Sequence, residues 1–272
     1  MKQVLLSLLL TINGLGLASS CGRKEALVTE KTEKPAEFTF LTTQDIHLRL
    51  QLENVGDLHL KGSMPDKTVF QIHRSATAAG RVRAAELMDR IAMVPSMDKD
   101  GLVRFQPKYP EIRSGEQVRS DVVVLVPLNQ RIPVSLALSG GSFEAVGMKA
   151  ELRVRTVGRC DVALRAFQGV FELELDAGEV VVGTALEGGR IRLRDGRVLI
   201  SQRLKEPMDD LVVEVESGEV TVEVLKGFTG RIRLEAPEVR NSTKLQLADS
   251  AEGRGILVKV KKGSAHLSSE LY

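Results

Sequence analysis

The chain has 272 residues, a formal net charge of +2 at pH 7 and no tryptophan. A net charge so near zero provides no electrostatic case for binding nucleic acid. Tyrosine occurs only twice, whereas surfaces that stack sugars or bases use exposed aromatic rings. This composition weighs against glycan processing and against binding of single-stranded nucleic acid.

The N-terminus carries the pattern of an export signal. An apolar run over residues 4–12 follows Lys2; a helix that spans a bilayer needs about 20 apolar residues, so this run is too short. Small residues then precede Cys21, and the segment resembles the bacterial lipobox, whose cysteine becomes the acylated first residue of the mature protein. Ala18 stands where the lipobox usually has leucine, which leaves ordinary cleavage after Ser20 as the alternative. We expect residues 1–20 to be a lipoprotein signal peptide and Cys21 to be lipidated.

The next segment, residues 21–37, is charged and poor in large apolar side chains. That composition is typical of flexible chain, so we expect a tether that holds the body of the protein, residues 38–272, away from a membrane. Cys160 is the only cysteine besides Cys21. Acylation of Cys21 would leave Cys160 without a disulfide partner, so the body must be stable without one.

Residues 131–272 contain an internal repeat of roughly 20 residues. Each copy has alternating apolar residues, a polar corner with a glycine, and a second alternating stretch, as in LELDAGEVVV, IRLRDGRVLI and VEVESGEVTV. The segment LQLENVGDLHL at residues 50–60 is an isolated early copy, and IRLEAPEVRN has proline in place of the glycine. The predicted corner glycines are Gly56, Gly141, Gly158, Gly178, Gly196, Gly218 and Gly263.

The repeat predicts an all-β fold. Alternation with period 2 is typical of strands with one buried face, and a glycine allows a tight bend at each corner. One corner cannot bury its apolar side alone, so we expect the copies to stack as a single-stranded, β-helix-like β-solenoid of roughly 20-residue coils. A sandwich of antiparallel hairpins is the competing interpretation.

The charges between the apolar residues favour parallel stacking, because one column changes sign from copy to copy. Its members are Arg153, Glu174, Arg192, Glu214 and Arg233. Coils in register would place them about 4.8 Å apart, where unlike charges attract, whereas antiparallel hairpins would not align them. We interpret this column as a structural charge ladder that fixes the register. The same alignment puts Cys160 in an apolar column, as a small buried filler beside Phe143, Val180, Val198, Val220 and Val239.

The part before the repeats, residues 38–130, follows a different pattern. Apolar alternation predicts strands at residues 46–53, 58–61, 69–73, 102–107 and 121–127. A stripe of apolar residues at helical spacing predicts one short helix near residues 76–92. Residues 108–119 are expected to form a loop.

This order of elements resembles a bacterial family known as the "putative adhesin" domain, which is related to autotransporter-adhesin-like domains. The matching segments are residues 54–58 (NVGDL), the helical stretch before a strand, residues 122–127 (VVVLVP), residues 136–148 (LALSGGSFEAVGM) and the repeated corners. The resemblance covers the chain from about residue 37 onward. It implies a β-solenoid-like fold without established catalytic residues.

Histidines and carboxylates are the candidates for chemistry. His47, His59 and His73 alternate with apolar neighbours, and no HxH or HExxH spacing occurs, so we expect solvated strand residues and no metal site. Carboxylate pairs such as Glu172 and Glu174 have arginine partners in the predicted ladder. We therefore expect no catalytic residue and no cofactor.

Three functions are compatible with this sequence. The first is a non-catalytic binding or scaffolding domain, lipid-anchored in the bacterial cell envelope, with an envelope protein or a glycan as its partner. The second is a carbohydrate-active β-helix enzyme, which an uncompensated acidic cleft with aromatic residues would favour. The third is an accessory subunit of an envelope complex that docks through residues 75–93, which an exposed apolar patch on the helix would favour.

Overall fold

The computed structural model describes residues 26–41, 46–53, 55–63, 66–183, 187–205, 209–248 and 254–269. Cys21 and the predicted signal peptide lie outside these residues. The described helix is α1 (Arg81–Asp89). The described strands are β1 (Leu27–Lys31), β2 (Ala36–Leu41), β3 (His47–Glu53), β4 (Val55–Ser63), β5 (Lys67–Ala79), β6 (Ser96–Met97), β7 (Leu102–Phe105), β8 (Gln117–Pro127), β9 (Arg131–Val146), β10 (Lys149–Arg165), β11 (Phe171–Val182), β12 (Gly189–Gln202), β13 (Leu211–Val224), β14 (Arg231–Glu235), β15 (Glu238–Asn241) and β16 (Gly255–Ser269).

Each glycine-containing repeat within residues 131–272 forms one long strand that continues through its corner. In β11 the buried side chains are Phe171, Leu173 and Leu175 before the corner, and Val180 and Val182 after it. The step of five residues across the corner reverses the phase of the alternation, so the strand must bend for both halves to face the same side. As a result, the two halves of each repeat contribute to one continuous hydrophobic core.

The repeats pair in parallel and in register. β9, β10, β11, β12, β13 and β16 are neighbours in that order, and all five pairings are parallel. The fold is therefore all-β, as the repeat predicts, and the parallel order disagrees with a sandwich of hairpins. The strands belong to one long, open and mixed sheet; closed solenoid coils stay a prediction.

A column of corner residues runs through this parallel part of the sheet. Its members, in spatial order, are Gly141, Cys160, Gly178, Gly196, Gly218 and Gly263. At each of the last four, the φ angle lies between 129° and 146°. A Cβ atom built there would lie 1.8–2.0 Å from the carbonyl oxygen of the preceding column member. The bend therefore leaves no room for a side chain between neighbouring corners.

The structure places Cys160, and not the predicted Gly158, in the corner column. β10 has one more residue in its corner than β11, because Arg155 pairs with Glu174 whereas Arg159 pairs with Ala177. Gly158 lies two residues before the corner column, and a Cβ atom at Gly158 would have open space around it. Gly56, in the early copy, lies next to Asp57, which pairs with Ser142 of β9.

The early copy, residues 50–60, stacks on the other side of β9. β3 pairs in parallel with the first half of β9, and β4 pairs in parallel with the second half. β8 continues the parallel order from β4, and β5 then pairs antiparallel with β8. The N-terminal end of the sheet is completed by β1 and β2, both antiparallel to β5.

The helix is shorter than predicted, and part of the predicted tether is strand. Residues 75–79 belong to β5, where Ala76 and Ala78 are buried, and Gly80 with a φ of 80° separates that strand from α1. Within the predicted tether, β1 and the start of β2 pair with β5. The backbone hydrogen bonds of an edge strand require no apolar side chains, so the polar composition did not reveal these strands.

The C-terminal edge of the sheet departs from sequence order. β16 lies between β13 and β14, so the copy that contains Pro237 forms the edge instead of the next internal strand. An edge tolerates proline because its missing N–H has no ladder partner to satisfy. Leu245 and Leu247 pack against the core beside this edge, and the Ala248 amide donates to the Ile232 carbonyl at 2.8 Å.

Gly218→Ala is predicted to destabilise the protein much more than Gly158→Ala. The new Cβ atom would lie 1.8 Å from the Gly196 carbonyl oxygen, so the backbone must shift at a loss of about 3 kcal/mol or more. Gly158 has a φ of 78° but open space around it, so only the backbone strain of about 1–2 kcal/mol applies. Urea unfolding would measure both; equal losses would contradict the close stacking of the corners.

Candidate functional site

Two rows of charged side chains cross the parallel strands just before their corners. The first charge row consists of Arg155, Glu174, Arg192, Glu214, Lys259 and Glu235, which are successive register partners. The second charge row lies two residues further along and consists of Asp176, Arg194, Glu216 and Lys261. In both rows the sign of the charge alternates from strand to strand. The corner glycines hold the strands in the register that produces this alternation.

Ion pairs link neighbouring members of the first charge row. Glu174 accepts from Arg155 at 2.8 Å and from Arg192 at 3.2 Å, and Arg192 also donates to Glu214 at 3.1 Å. Lys259 lies 4.0 Å from Glu235 at the sheet edge. Hydrogen bonding to Glu214 is the largest cause that raises the pKa of Arg192 above its ordinary value.

The second charge row is paired in the same way. Arg194 lies 3.6 Å from Asp176, and Lys261 donates to Glu216 at 3.1 Å. Asp176 also accepts a hydrogen bond of 3.1 Å from the backbone amide of Gly158. These contacts link side chains on neighbouring strands, as the ion pairs of the first charge row do.

A groove of about 910 Å³ lies over the two rows. Its charged lining is five cationic and five acidic side chains, all members of the two charge rows, so the charges balance. Apolar residues also line the groove: Val157 on β10 and Ala236 and Pro237 beyond β14 lie at its two ends, and Leu175, Leu193, Val215 and Val260 lie between the two rows. Val157 is 70% exposed, which is unusual for a large apolar side chain in this sheet.

The observed row differs from the predicted ladder at both ends. Arg153 pairs in register with Glu172, two residues before the row, and Arg155 takes its predicted place. Arg233 pairs in register with Leu257 and lies 2.7 Å from Glu235. The β10 corner lies at Cys160, two residues after the predicted Gly158, and this causes the first difference. The insertion of β16, which brings Lys259 beside Glu214, causes the second.

The chemistry that this arrangement supports is binding. General acid–base catalysis needs a carboxylic acid or carboxylate that is free to exchange a proton with a substrate. All five acids of the groove have an arginine or lysine partner within 4.0 Å. The groove therefore presents balanced charges without an unpaired acid, and one of its carboxylates, Asp176, also accepts a backbone hydrogen bond.

The three histidines considered as metal ligands, His47, His59 and His73, lie on three different strands, β3, β4 and β5. His59 contacts the Glu144 carboxylate at 3.0 Å through Nδ1, and Arg165 contacts the same carboxylate at 3.2 Å. Among the described residues, no group of three or more histidine, cysteine, aspartate or glutamate side chains is arranged to hold a metal ion.

Cys160 is fully buried, although it is not in the apolar column that the sequence predicts. Val162 pairs with Phe143 and Val180 and takes that position, whereas Cys160 stands in the glycine column. Burial, with a smaller contribution from the Asp161 charge, raises the pKa of the Cys160 thiol to about 12. The thiol therefore stays neutral and acts as a small core side chain.

The helix exposes part of the stripe that predicted it. Ala84 and Leu87 are buried, and α1 packs against β5 and β1. Val82, a member of the predicted stripe, is 76% exposed. Within the part of the chain that the structure describes, no helix is both long and apolar enough to cross a membrane.

No family model matches the chain, and no curated protein is similar to it in sequence. Among solved structures, it is similar to a "putative adhesin" from Bacteroides fragilis, with 13% identity, 90% of this chain and 98% of that chain covered, and a TM-score of 0.41. It is also similar to a "putative cell adhesion protein" from Clostridium sporogenes, with 12% identity, 87% and 100% covered, and a TM-score of 0.35. A "putative lipid binding protein" from Parabacteroides distasonis has 10% identity, 88% and 98% covered, and a TM-score of 0.23. At these low TM-scores, the function has to be argued from the residues of this chain.

Proposed function

We propose that this protein is a non-catalytic binding domain of the bacterial cell envelope, and that the groove over the two charge rows is its binding face. The observation that carries the proposal is the pairing of all five groove acids with arginine or lysine. Paired carboxylates suit hydrogen bonding and ionic contacts to a ligand, and they lack the free acid that the alternative, a glycan-cleaving enzyme, requires.

The dimensions of the groove favour an extended ligand. The first charge row crosses six strands from β10 to β14, and five strand spacings amount to about 24 Å. Charges of both signs are available along this length. Because the ion pairs are exposed, they can open and contact charged groups of a ligand at little loss of protein stability. An extended polymer with polar or alternating charged groups would match this face.

The proposal includes export and lipid anchoring at Cys21, and a β-solenoid arrangement of the repeats. The apolar run at residues 4–12 and the small residues before the cysteine support the anchor. The parallel register of the repeats supports the solenoid. An anchored chain would present the groove to ligands at the membrane surface.

The anchor has a direct test in the bacterium that makes the protein. Radiolabelled palmitate is expected to label the wild-type chain, which should sediment with membranes, whereas Cys21→Ser should lose both the label and the membrane association. An unlabelled wild-type chain that begins at residue 21 would contradict the anchor and would indicate ordinary signal cleavage.

The groove is tested by co-sedimentation of the purified Cys21→Ser protein with isolated cell envelopes. Retention is expected for this protein and is expected to fall roughly tenfold when Arg192 and Arg194 are both changed to glutamine, because the charged contacts to the ligand are lost. Arg197→Gln is the matched control. It also removes an outward arginine of β12, but one beyond the corner, where its side chain is 71% exposed and lies 3.3 Å from Glu219. Equal retention of both variants would contradict the proposed face.

A further inference from the structure

A third row of side chains lies two residues before the first charge row. In spatial order it contains Arg104, Arg49, Ser135, Arg153, Glu172 and Arg190, which are register partners on β7, β3, β9, β10, β11 and β12. From Arg153 to Arg190 the signs alternate in the same way as in the other rows. On β9 the alternation stops, because Ser135 stands where an acid would be expected between two arginines.

A cavity of about 460 Å³ lies at this interruption. Its outward lining includes Arg49 and Gln51 on β3, Ser135 and Ala137 on β9, and Arg153 and Arg155 on β10. The small side chains of β9 leave space between the arginines of the two flanking strands. Arg49 and Arg153 are two strand spacings apart, or about 10 Å between backbones, which long side chains can bridge through one bound group.

The charge around this cavity is not balanced as it is in the groove. Glu174 is shared between Arg155 and Arg192, and Glu172 lies 3.9 Å from Arg153. Arg49 has no ion-pair partner among the residues that the structure describes, and its other neighbour in the row is Arg104. Arg104 itself lies 3.4 Å from Asp98. An excess of positive charge therefore remains where the row lacks its acid.

We propose that this cavity is an oxyanion site, at which a carboxylate, sulfate or phosphate group of the ligand takes the place of the missing acid between Arg49 and Arg153. A planar guanidinium binds such groups through two parallel N–H donors, and the Ser135 hydroxyl between the two arginines adds a further donor. The site rests on the proposed binding function of the adjoining groove, with which it shares Arg155 and Glu174. The ligand is therefore expected to carry a carboxylate, sulfate or phosphate group at one end.

The site can be tested with simple anions and the full-length protein in detergent at low ionic strength. Sodium sulfate, phosphate and acetate are titrated against sodium chloride of equal ionic strength, and the Nε–H signals of the arginines are followed by NMR. The signals of Arg49 and Arg153 are expected to shift and to saturate in the millimolar range. Tighter binding of phosphate and sulfate than of acetate would indicate a phosphate or sulfate ester, and comparable binding of acetate would indicate a carboxylate.

Three variants make the test specific. Arg49→Gln and Arg153→Gln are each expected to weaken anion binding roughly tenfold, because each removes one of the two flanking guanidinium groups. Ser135→Glu supplies the missing acid, so it is expected to abolish anion binding and to raise the melting temperature. Arg197→Gln, on the far side of the corner, should bind anions as the unaltered protein does.

The proposal is overturned if the Arg49 and Arg153 signals do not saturate, or if Ser135→Glu binds anions as the unaltered protein does. These outcomes are distinct from failure of the proposed function. If the arginine variants bind anions normally while the Arg192 and Arg194 double variant loses envelope retention, the oxyanion site is refuted and the binding face stands. In another outcome, envelope retention is unchanged both in the Arg192 and Arg194 double variant and in the Arg49→Gln and Arg153→Gln variants. If anion binding is nevertheless weakened by Arg49→Gln and Arg153→Gln, the oxyanion site stands without the proposed function.

Discussion

The close approach of each corner glycine from Gly178 onward to the carbonyl oxygen of the preceding corner is the contact on which the rest of the structure depends. At Gly196 and Gly218 the space for a Cβ atom is taken by a neighbouring backbone oxygen. From Gly178 onward, a corner can stack at hydrogen-bonding distance from the preceding one only if it is glycine, and Cys160 directly precedes these four glycines. This requirement aligns the strands, and the alignment brings the charged side chains into rows.

The charges alone would not determine this register. If β12 slipped by two residues against β11, Glu174 would still lie beside an arginine, either Arg190 or Arg194. The same slip would place a residue with a Cβ atom, Arg194 or Val198, against the corner of Gly178, where there is no room for it. Exposed ion pairs are worth about 1 kcal/mol or less each. The glycine corners, and not the charges, therefore determine the register of the strands. The charged side chains that this register aligns into rows are available for binding.

The sequence predicts the structural features that depend on local alternation of apolar residues. It does not predict the features that depend on the position of one corner or on the place of one strand in the sheet. Alternation and the repeated glycine predict strands that bend at Gly178, Gly196 and Gly218, and the charges that alternate in sign predict parallel stacking; all of these are observed. The β10 corner lies at Cys160, two residues after the predicted Gly158, so Arg155 takes the place predicted for Arg153, and no local pattern reveals this shift. The position of β16 between β13 and β14 depends on long-range pairing, which neighbouring residues do not encode. The sequence does not reveal the oxyanion site for the same reason, since only the register places Arg49 and Arg153 on either side of Ser135.

Cross-linking between β11 and β12 tests the register most directly, because disulfides require Cα atoms within about 7 Å. The account predicts that cysteines in place of Glu174 and Arg192 form a disulfide readily, although the substitutions remove two ladder charges, because the glycine corners hold the strands in place. Cysteines in place of Glu174 and Arg194 are offset by two residues, about 8 Å apart, and should remain reduced under the same mild oxidation. Equal or faster cross-linking of the offset pair would contradict the alignment on which the charge rows, the groove and the oxyanion site all depend.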